Sequence, residues 1–273
     1  MITVGQGAIR PDLLSGTERV IYEQKMGSST PFHYETADEL LFELKLRAAT
    51  VAAAIALEHS EVAFATFKKS RANNNYWRRT NEGGFELRKR ASPSAAIRDI
   101  YANGGEYGFE CATAIVIVLY KAVLDTIGDE TFDRLFGNLY LYSWEHDSDM
   151  PLVTEDGKRE TFPGDVLYYI NPDYNPETPQ WQGENVVKLT GDMLFGHGIG
   201  IKNERGIIDE LNENRRPGSQ ISARLFERTT HPDYSAILQE TQVRSGTSGP
   251  AFARSWPAGA IAGRIGRRTR VYG

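Results

Sequence analysis

Cys111 is the only cysteine in the 273 residues. It stands in Gly108-Phe109-Glu110-Cys111-Ala112-Thr113-Ala114, just after the turn signal Asn103-Gly104-Gly105. An apolar run begins there and reaches Ile127-Gly128. The pattern predicts a thiol in the first turn of a buried helix, with Gly128 just past its end. Unpaired N–H groups and the helix dipole at that point favour a thiolate and lower the thiol pKa. The residue also reads as a small core hydrophobe, the commoner role of a lone cysteine in an apolar helix. Glu110, directly before it, points to a partly open cavity.

A thiol nucleophile needs a base within reach. His197 lies in Leu194-Phe195-Gly196-His197-Gly198-Ile199-Gly200-Ile201, inside an expected strand from Met193 to Ile201, where the flanking glycines leave room for a substrate. A strand histidine bonded to a backbone carbonyl accounts for the pattern equally well. Glu184 opens the apolar segment Asn185-Val186-Val187 beside Gly183 and Trp181, and reads as a catalytic carboxylate or an ordinary strand-end acid. Trp144, Trp181, Tyr168 and Tyr169 line a cleft or pack the core. His33, His59, His146 and His231 read as surface residues. Asp147-Ser148-Asp149 begins like a calcium loop, but position six has no Gly and position twelve no Glu, so calcium binding is rejected. The sequence contains no phosphate loop and no dinucleotide fingerprint.

The elements that must position these groups are helical first and extended later. Residues 1–8 read as a strand and Glu18 to Met26 as a short helix. Thr36-Ala37-Asp38-Glu39 is a capping box opening a helix to about His59, with apolar residues at helical spacing from Leu40. Residues 76–88 read as a hairpin around Asn81-Glu82-Gly83-Gly84. Ser92-Pro93 starts another helix. After the Cys111 helix, Asp129 is expected to cap a short helix to Phe136. Strands follow at 139–142, 166–170, 185–189 and 193–201. This order predicts an α+β fold with one shared core.

Hydrophobic residues make up 40% and charged residues 25%, with a net charge of −5, a mean hydropathy of −0.43 and a pI near 5.7. Bulk charge gives no reason to expect nucleic acid as a partner. One cysteine excludes internal disulfides and multi-cysteine zinc sites. The start Met1-Ile2-Thr3-Val4-Gly5-Gln6 lacks the features of a signal peptide, and no apolar run is long enough to span a bilayer. A soluble chain made in the cytoplasm is expected, without membrane, metal or cofactor. Residues 1–244 read as one domain. Residues 245–273 read as a basic, flexible Gly/Ala/Arg-rich tail carrying Arg254, Arg264, Arg267, Arg268 and Arg270 and no acidic residue.

Several motifs in matching order resemble a known family. Phe109-Glu110-Cys111-Ala112-Thr113-Ala114-Ile115-Val116-Ile117 is similar to the nucleophile motif of the Bacillus-type protein-glutamine gamma-glutamyltransferases, the spore-coat transglutaminases. Leu40 to Arg47, Phe64-Ala65-Thr66-Phe67, Ala96 to Ile100, Gly183-Glu184-Asn185-Val186 and Gly196 to Ile201 extend the likeness over roughly residues 1–225. Pro163-Gly164-Asp165-Val166-Leu167-Tyr168-Tyr169 also resembles a segment of the related NlpC/P60 peptidases. The resemblance implies a compact papain-like fold in which the cysteine-bearing helix packs on a small antiparallel sheet.

It further implies that Cys111 attacks a protein glutamine, releases ammonia and passes the acyl group to a lysine, without calcium. Glu184 would then be the carboxylate, Glu110 a partly redundant second, and His197 the motif histidine. Trp181 and Trp144 are the candidates for an aromatic tunnel wall. The implied partners are spore-coat proteins carrying Gln and Lys, and the implied location is the spore coat. The basic tail has no counterpart in this pattern. Two rival expectations are a cysteine amidase or peptidase with His197 as base, and a non-enzymatic coat protein in which Cys111 is core.

Overall fold

Two long helices form the spine of the protein, whose computed structural model describes residues 1–143, 150–157, 160–243, 261–265 and 268–272. Ala37–Glu58 begins where Thr36 Oγ1 accepts the Glu39 N–H at 3.2 Å, the expected N-cap. The Glu39 carboxylate accepts from the Glu35 N–H at 2.9 Å, one residue before the donor a capping box uses. Cys111–Ile127 packs along this helix. Twelve of its seventeen residues are buried, so it is enclosed on nearly every side. Gly16–Gly27, Pro93–Ala102, Asp129–Leu135, Glu204–Glu213 and Tyr234–Val243 complete seven α-helices among the described residues. Asp129 is the first helical residue of its helix, and Gly128 occupies the cap position.

One face of the spine meets an eight-stranded sheet. Its order is Gly200–Asn203, Met193–Gly196, Gly183–Lys188, Val166–Ile170, Arg224–Pro232, Leu152–Asp156, Arg268–Tyr272 and Ile261–Ile265. All neighbours are antiparallel except Leu152–Asp156 with Arg268–Tyr272, which are parallel. The helix-first, strand-later order is as expected, but the sheet is wider than the small one anticipated. Leu152–Asp156 and Arg224–Pro232 carry too many charged and hydroxyl side chains to announce themselves as strands, and only their pairing reveals them. The last two strands belong to the segment after Arg244. Smaller sheets pair Ile2–Gln6 with Phe32–Thr36, Ala63–Phe64 with Gly108–Phe109, and Trp77–Arg79 with Phe85–Leu87 and Tyr140–Leu141.

The expected strand over 193–201 is instead two strands joined by a turn at 197–199. Gly198 and Gly200 have φ values of +103° and +89°, which side-chain-bearing residues rarely adopt, so the chain reverses there. A β-carbon on Gly198 would also fall 2.7 Å from the Phe64 ring.

A chain of buried charges ties the helices to the sheet. Lys25 Nζ lies 2.6 Å from Glu43 Oε1, Arg47 Nε lies 2.7 Å from the same oxygen, and Arg47 Nη1 lies 2.7 Å from Asp165 Oδ1. The four side chains are all less than a tenth exposed. Arg47 Nη1 also donates to the Pro163 carbonyl, and the Phe162 N–H donates to Asp165 Oδ2. Burial raises the Glu43 pKa, but the Lys25 and Arg47 charges outweigh it and hold the carboxyl well below the usual carboxylate range.

Removing one member of such a network leaves its partners buried and uncompensated. Arg47→Leu is expected to destabilise the protein by about 3–5 kcal/mol, read by urea unfolding. A loss under about 1 kcal/mol would show that Arg47 does not hold the network. Because the Glu43 pKa is depressed in the folded state, its stabilisation is complete above the unfolded value of about 4.3 and declines as pH falls below that point.

Candidate active site

Cys111 is the first residue of its helix, 8% exposed, with Glu110 in the cap position. The Glu110 side chain makes no capping bond, so the N–H groups of the first turn remain available in front of the sulfur. The apolar helix is anchored in the core from Ala114 onward, and this fixes the thiol at the edge of that core. Thr113 Oγ1 donates to the Tyr142 carbonyl and ties the next wall of the site to the same turn.

The strand Gly183–Lys188 faces the helix start. The buried Glu184 carboxylate is hydrogen-bonded to the Cys111 thiol. The Asn185 backbone N–H and side chain both donate toward the same sulfur, with Asn185 Nδ2 at 3.6 Å from Sγ. Glu184 Oε1 has no hydrogen-bond partner. Gly196, on the neighbouring strand, leaves space for this carboxylate: a β-carbon there would lie 3.0 Å from Oε1.

Burial pushes up the pKa values of both groups. For Cys111 the Glu184 charge adds to the rise and the two Asn185 donors oppose it. For Glu184 the bond from the thiol opposes the rise and the Glu110 charge adds to it. The pair therefore does not hold two negative charges at once. Glu110 also has a raised pKa, from its partial burial, offset in part by a hydrogen bond from the Phe67 backbone.

A cavity of about 500 Å³ opens beside the thiol. Cys111, Ala112, Glu110 and Asn185 form its floor, and Phe67, Tyr142, Tyr168 and Phe226 supply aromatic wall. Phe67 and Tyr142 lie with ring centroids 4.5 Å apart. Arg228, Gln180 and Gln182 bring polar groups to the same space.

The structure thus brings together Cys111, Glu184 and Glu110. His197 sits in the turn beside them, its ring 4.9 Å from that of Phe109 and 6.1 Å from that of Phe64. Burial pushes its pKa down to about 4, only partly offset by the nearby backbone of Ala63 and Phe109, so the ring is neutral at pH 7, and its Nε2 has no hydrogen-bond partner among the described residues. Among the described residues it makes no bond to the thiol. Trp181 ends the short helical turn Pro179–Trp181 and packs against the cluster of Leu167, Tyr169 and Val186, while Pro179 and Gln180 of that turn reach the cavity. Trp144, His146 and the Asp147-Ser148-Asp149 stretch lie outside the described residues. No group of three or more His, Cys, Asp or Glu side chains among the described residues is placed to hold a metal ion. Likewise, no helix among the described residues is long and apolar enough to cross a membrane.

Sequence reasoning missed Asn185, which its position beside Glu184 could have flagged. Phe226 and Arg228 gave no signal, because their strand was not legible.

A family profile described as protein-glutamine gamma-glutamyltransferase matches residues 1–241. The protein-glutamine gamma-glutamyltransferase of Bacillus cereus strain B4264 is 39% identical over 278 residues, covering 100% of both chains. That of Bacillus pumilus strain SAFR-032 is 46% identical over 226 residues, covering 83% of this chain and 91% of its own. The solved transglutaminase from Geobacillus stearothermophilus, without its C-terminal extension, superposes with a TM-score of 0.72 at 46% identity, covering 75% of this chain and 97% of that one. With a profile spanning most of its length and full-length relatives well above 30% identity, the chain belongs to the protein-glutamine gamma-glutamyltransferase family.

Proposed function

We propose that Cys111 is the nucleophile of this transferase and Glu184 its base, with Glu110 as a second carboxylate. The observation that carries the assignment is the thiol of Cys111, bonded to a buried carboxylate at a helix start and opening on a cavity. Glu184 takes the thiol proton, and the sulfur attacks the side-chain carbonyl carbon of a protein glutamine. The carbon–nitrogen bond breaks, and ammonia leaves with the proton returned by Glu184. A lysine amine then attacks the thioester, giving its proton to a carboxylate and releasing the thiolate. The aromatic wall keeps water, the competing acceptor, from the thioester.

The energetic task is definite. Between a free Glu and a free thiol, proton transfer is uphill by about 6 kcal/mol. Burial raises both pKa values, so the gap closes through groups acting on one partner alone. The Asn185 donors and the helix N-terminus do so at the sulfur, whereas the Glu110 charge raises both groups. His197, neutral and without a bond to the thiol, then serves the site by packing on Phe109.

The cysteine helix abutting an antiparallel strand that carries its carboxylate supports a papain-like fold. The substrates are proteins presenting Gln and Lys, and the spore coat is the proposed place of action, on the strength of the sequence resemblance. Residues 1–244 form the proposed catalytic unit. The solved Geobacillus relative, described as lacking its C-terminal extension, supports this division.

Cys111→Ala is expected to abolish incorporation of a labelled primary amine into a glutamine-rich protein while keeping the wild-type circular dichroism. Measurable incorporation by that variant would remove Cys111 from the mechanism. Ammonia release without any amine adduct would instead mark a hydrolase.

Glu184→Ala should lose more activity than Glu110→Ala. A general base contributes about 10²–10⁴-fold, and each single variant retains one carboxylate, so the double variant should lose more than the product of the two single losses. Multiplicative effects in steady-state amine incorporation would end the claim of redundancy.

A chain ending at residue 244 is expected to keep its turnover of a short glutamine peptide. Loss of that turnover would show that the catalytic unit extends into 245–273.

A further inference from the structure

One wall of the Cys111 cavity carries a positive charge that the chemistry just described does not use. Phe226 and Arg228 are two apart on one strand and both line the cavity. Pairing with Val166–Ile170 is interrupted here: Phe226 faces Tyr168 and Thr229 faces Leu167, so Glu227 and Arg228 form a bulge. Bulges of this kind re-aim side chains beside active sites. Arg228 Nε donates to Asp156 Oδ1 at 2.6 Å, and the guanidinium carbon lies 5.2 Å from the Phe226 ring centroid. Both charged side chains are about a quarter exposed. The two Nη groups bond to no described residue.

We propose that Arg228 selects the acyl donor, favouring glutamines that have a carboxylate side chain within a few residues. This rests on the transferase reading of the site. A guanidinium offers planar paired donors that match a carboxylate, and Asp156 fixes its orientation while leaving the Nη groups to a substrate. The glutamine side chain is neutral, so charge selection acts on its neighbours. The amine substrate arrives as a cation, which Arg228 repels. The acceptor is therefore suited to the part of the cavity lined by Glu110, Phe67 and Tyr142, which offer a carboxylate and aromatic faces.

The test uses the full chain, a labelled primary amine at fixed concentration, and short peptides with one glutamine. Each peptide carries a single Glu or a single Arg at one of the three positions on either side, since a peptide lysine would itself act as acceptor. In the wild type, Glu at one or more positions should raise kcat/KM over Arg by about fivefold, a preference that salt weakens. Arg228→Gln should bring that ratio close to one, and Arg228→Glu should invert it. Asp156→Asn, which keeps Arg228 and its acceptor oxygen but removes the negative charge beside the guanidinium, should enlarge it. A preference unchanged in Arg228→Gln overturns the assignment. If that variant loses its fold by circular dichroism, an unchanged ratio in Asp156→Asn overturns it instead. Equal labelling of all peptides by the wild type overturns this assignment alone, whereas no labelling of any peptide overturns the transferase reading beneath it.

Discussion

The contact between Arg47 and Asp165 is the joint on which the architecture turns. Arg47 belongs to the central helix, and Asp165 immediately precedes the strand Val166–Ile170. That strand pairs with Gly183–Lys188 in a register that sets Glu184 opposite Tyr169 and Asn185 opposite Tyr168. The central helix in turn packs along the helix that begins at Cys111. Thiol and carboxylate thus reach each other through two routes that meet at one guanidinium. Apolar packing alone tolerates sliding of a helix over a sheet, whereas a buried ion pair with additional backbone bonds has few alternative partners.

The same economy of burial governs the reactive pair. Enclosing a thiol and a carboxylate discourages charge on both. In the proposed mechanism, a proton passes between these two groups, and their neighbours adjust which of them holds it. The strand supplies those neighbours on consecutive residues: Glu184 bonds the thiol, and Asn185 donates to its sulfur. Consecutive strand side chains ordinarily point to opposite faces, and Asn185 nonetheless acts on the same sulfur as Glu184, in part through its backbone N–H.

Much of this was legible beforehand. The Cys111 helix, its glycine stop, the capped helix from Thr36 and the hairpin at Trp77–Leu87 follow from short-range rules, since apolar periodicity and turn residues act within a few positions. The pairing of Cys111 with Glu184 was legible only through the family resemblance, because 73 residues separate them and no local rule reaches that far. The turn at His197 was misread as strand because the apolar residues around it continue the alternation, while the glycines break it through φ. Arg224–Pro232 was not recognised at all. Its alternation is masked by Arg224, Glu227 and Arg228, of which the first two are exposed and the third borders the cavity.

The C-terminal strand pair, Ile261–Ile265 with Arg268–Tyr272, joins the sheet next to the strand that holds Asp156. No lysine follows Lys202, and the cationic side chains of this end are arginines. A guanidinium stays protonated under all ordinary conditions and does not open a thioester as an amine does. This end of the chain therefore carries positive charge in a form immune to the enzyme's own chemistry. Under the proposed lysine-acceptor chemistry, these strands can pair with the sheet through many turnovers without becoming stitched to a product.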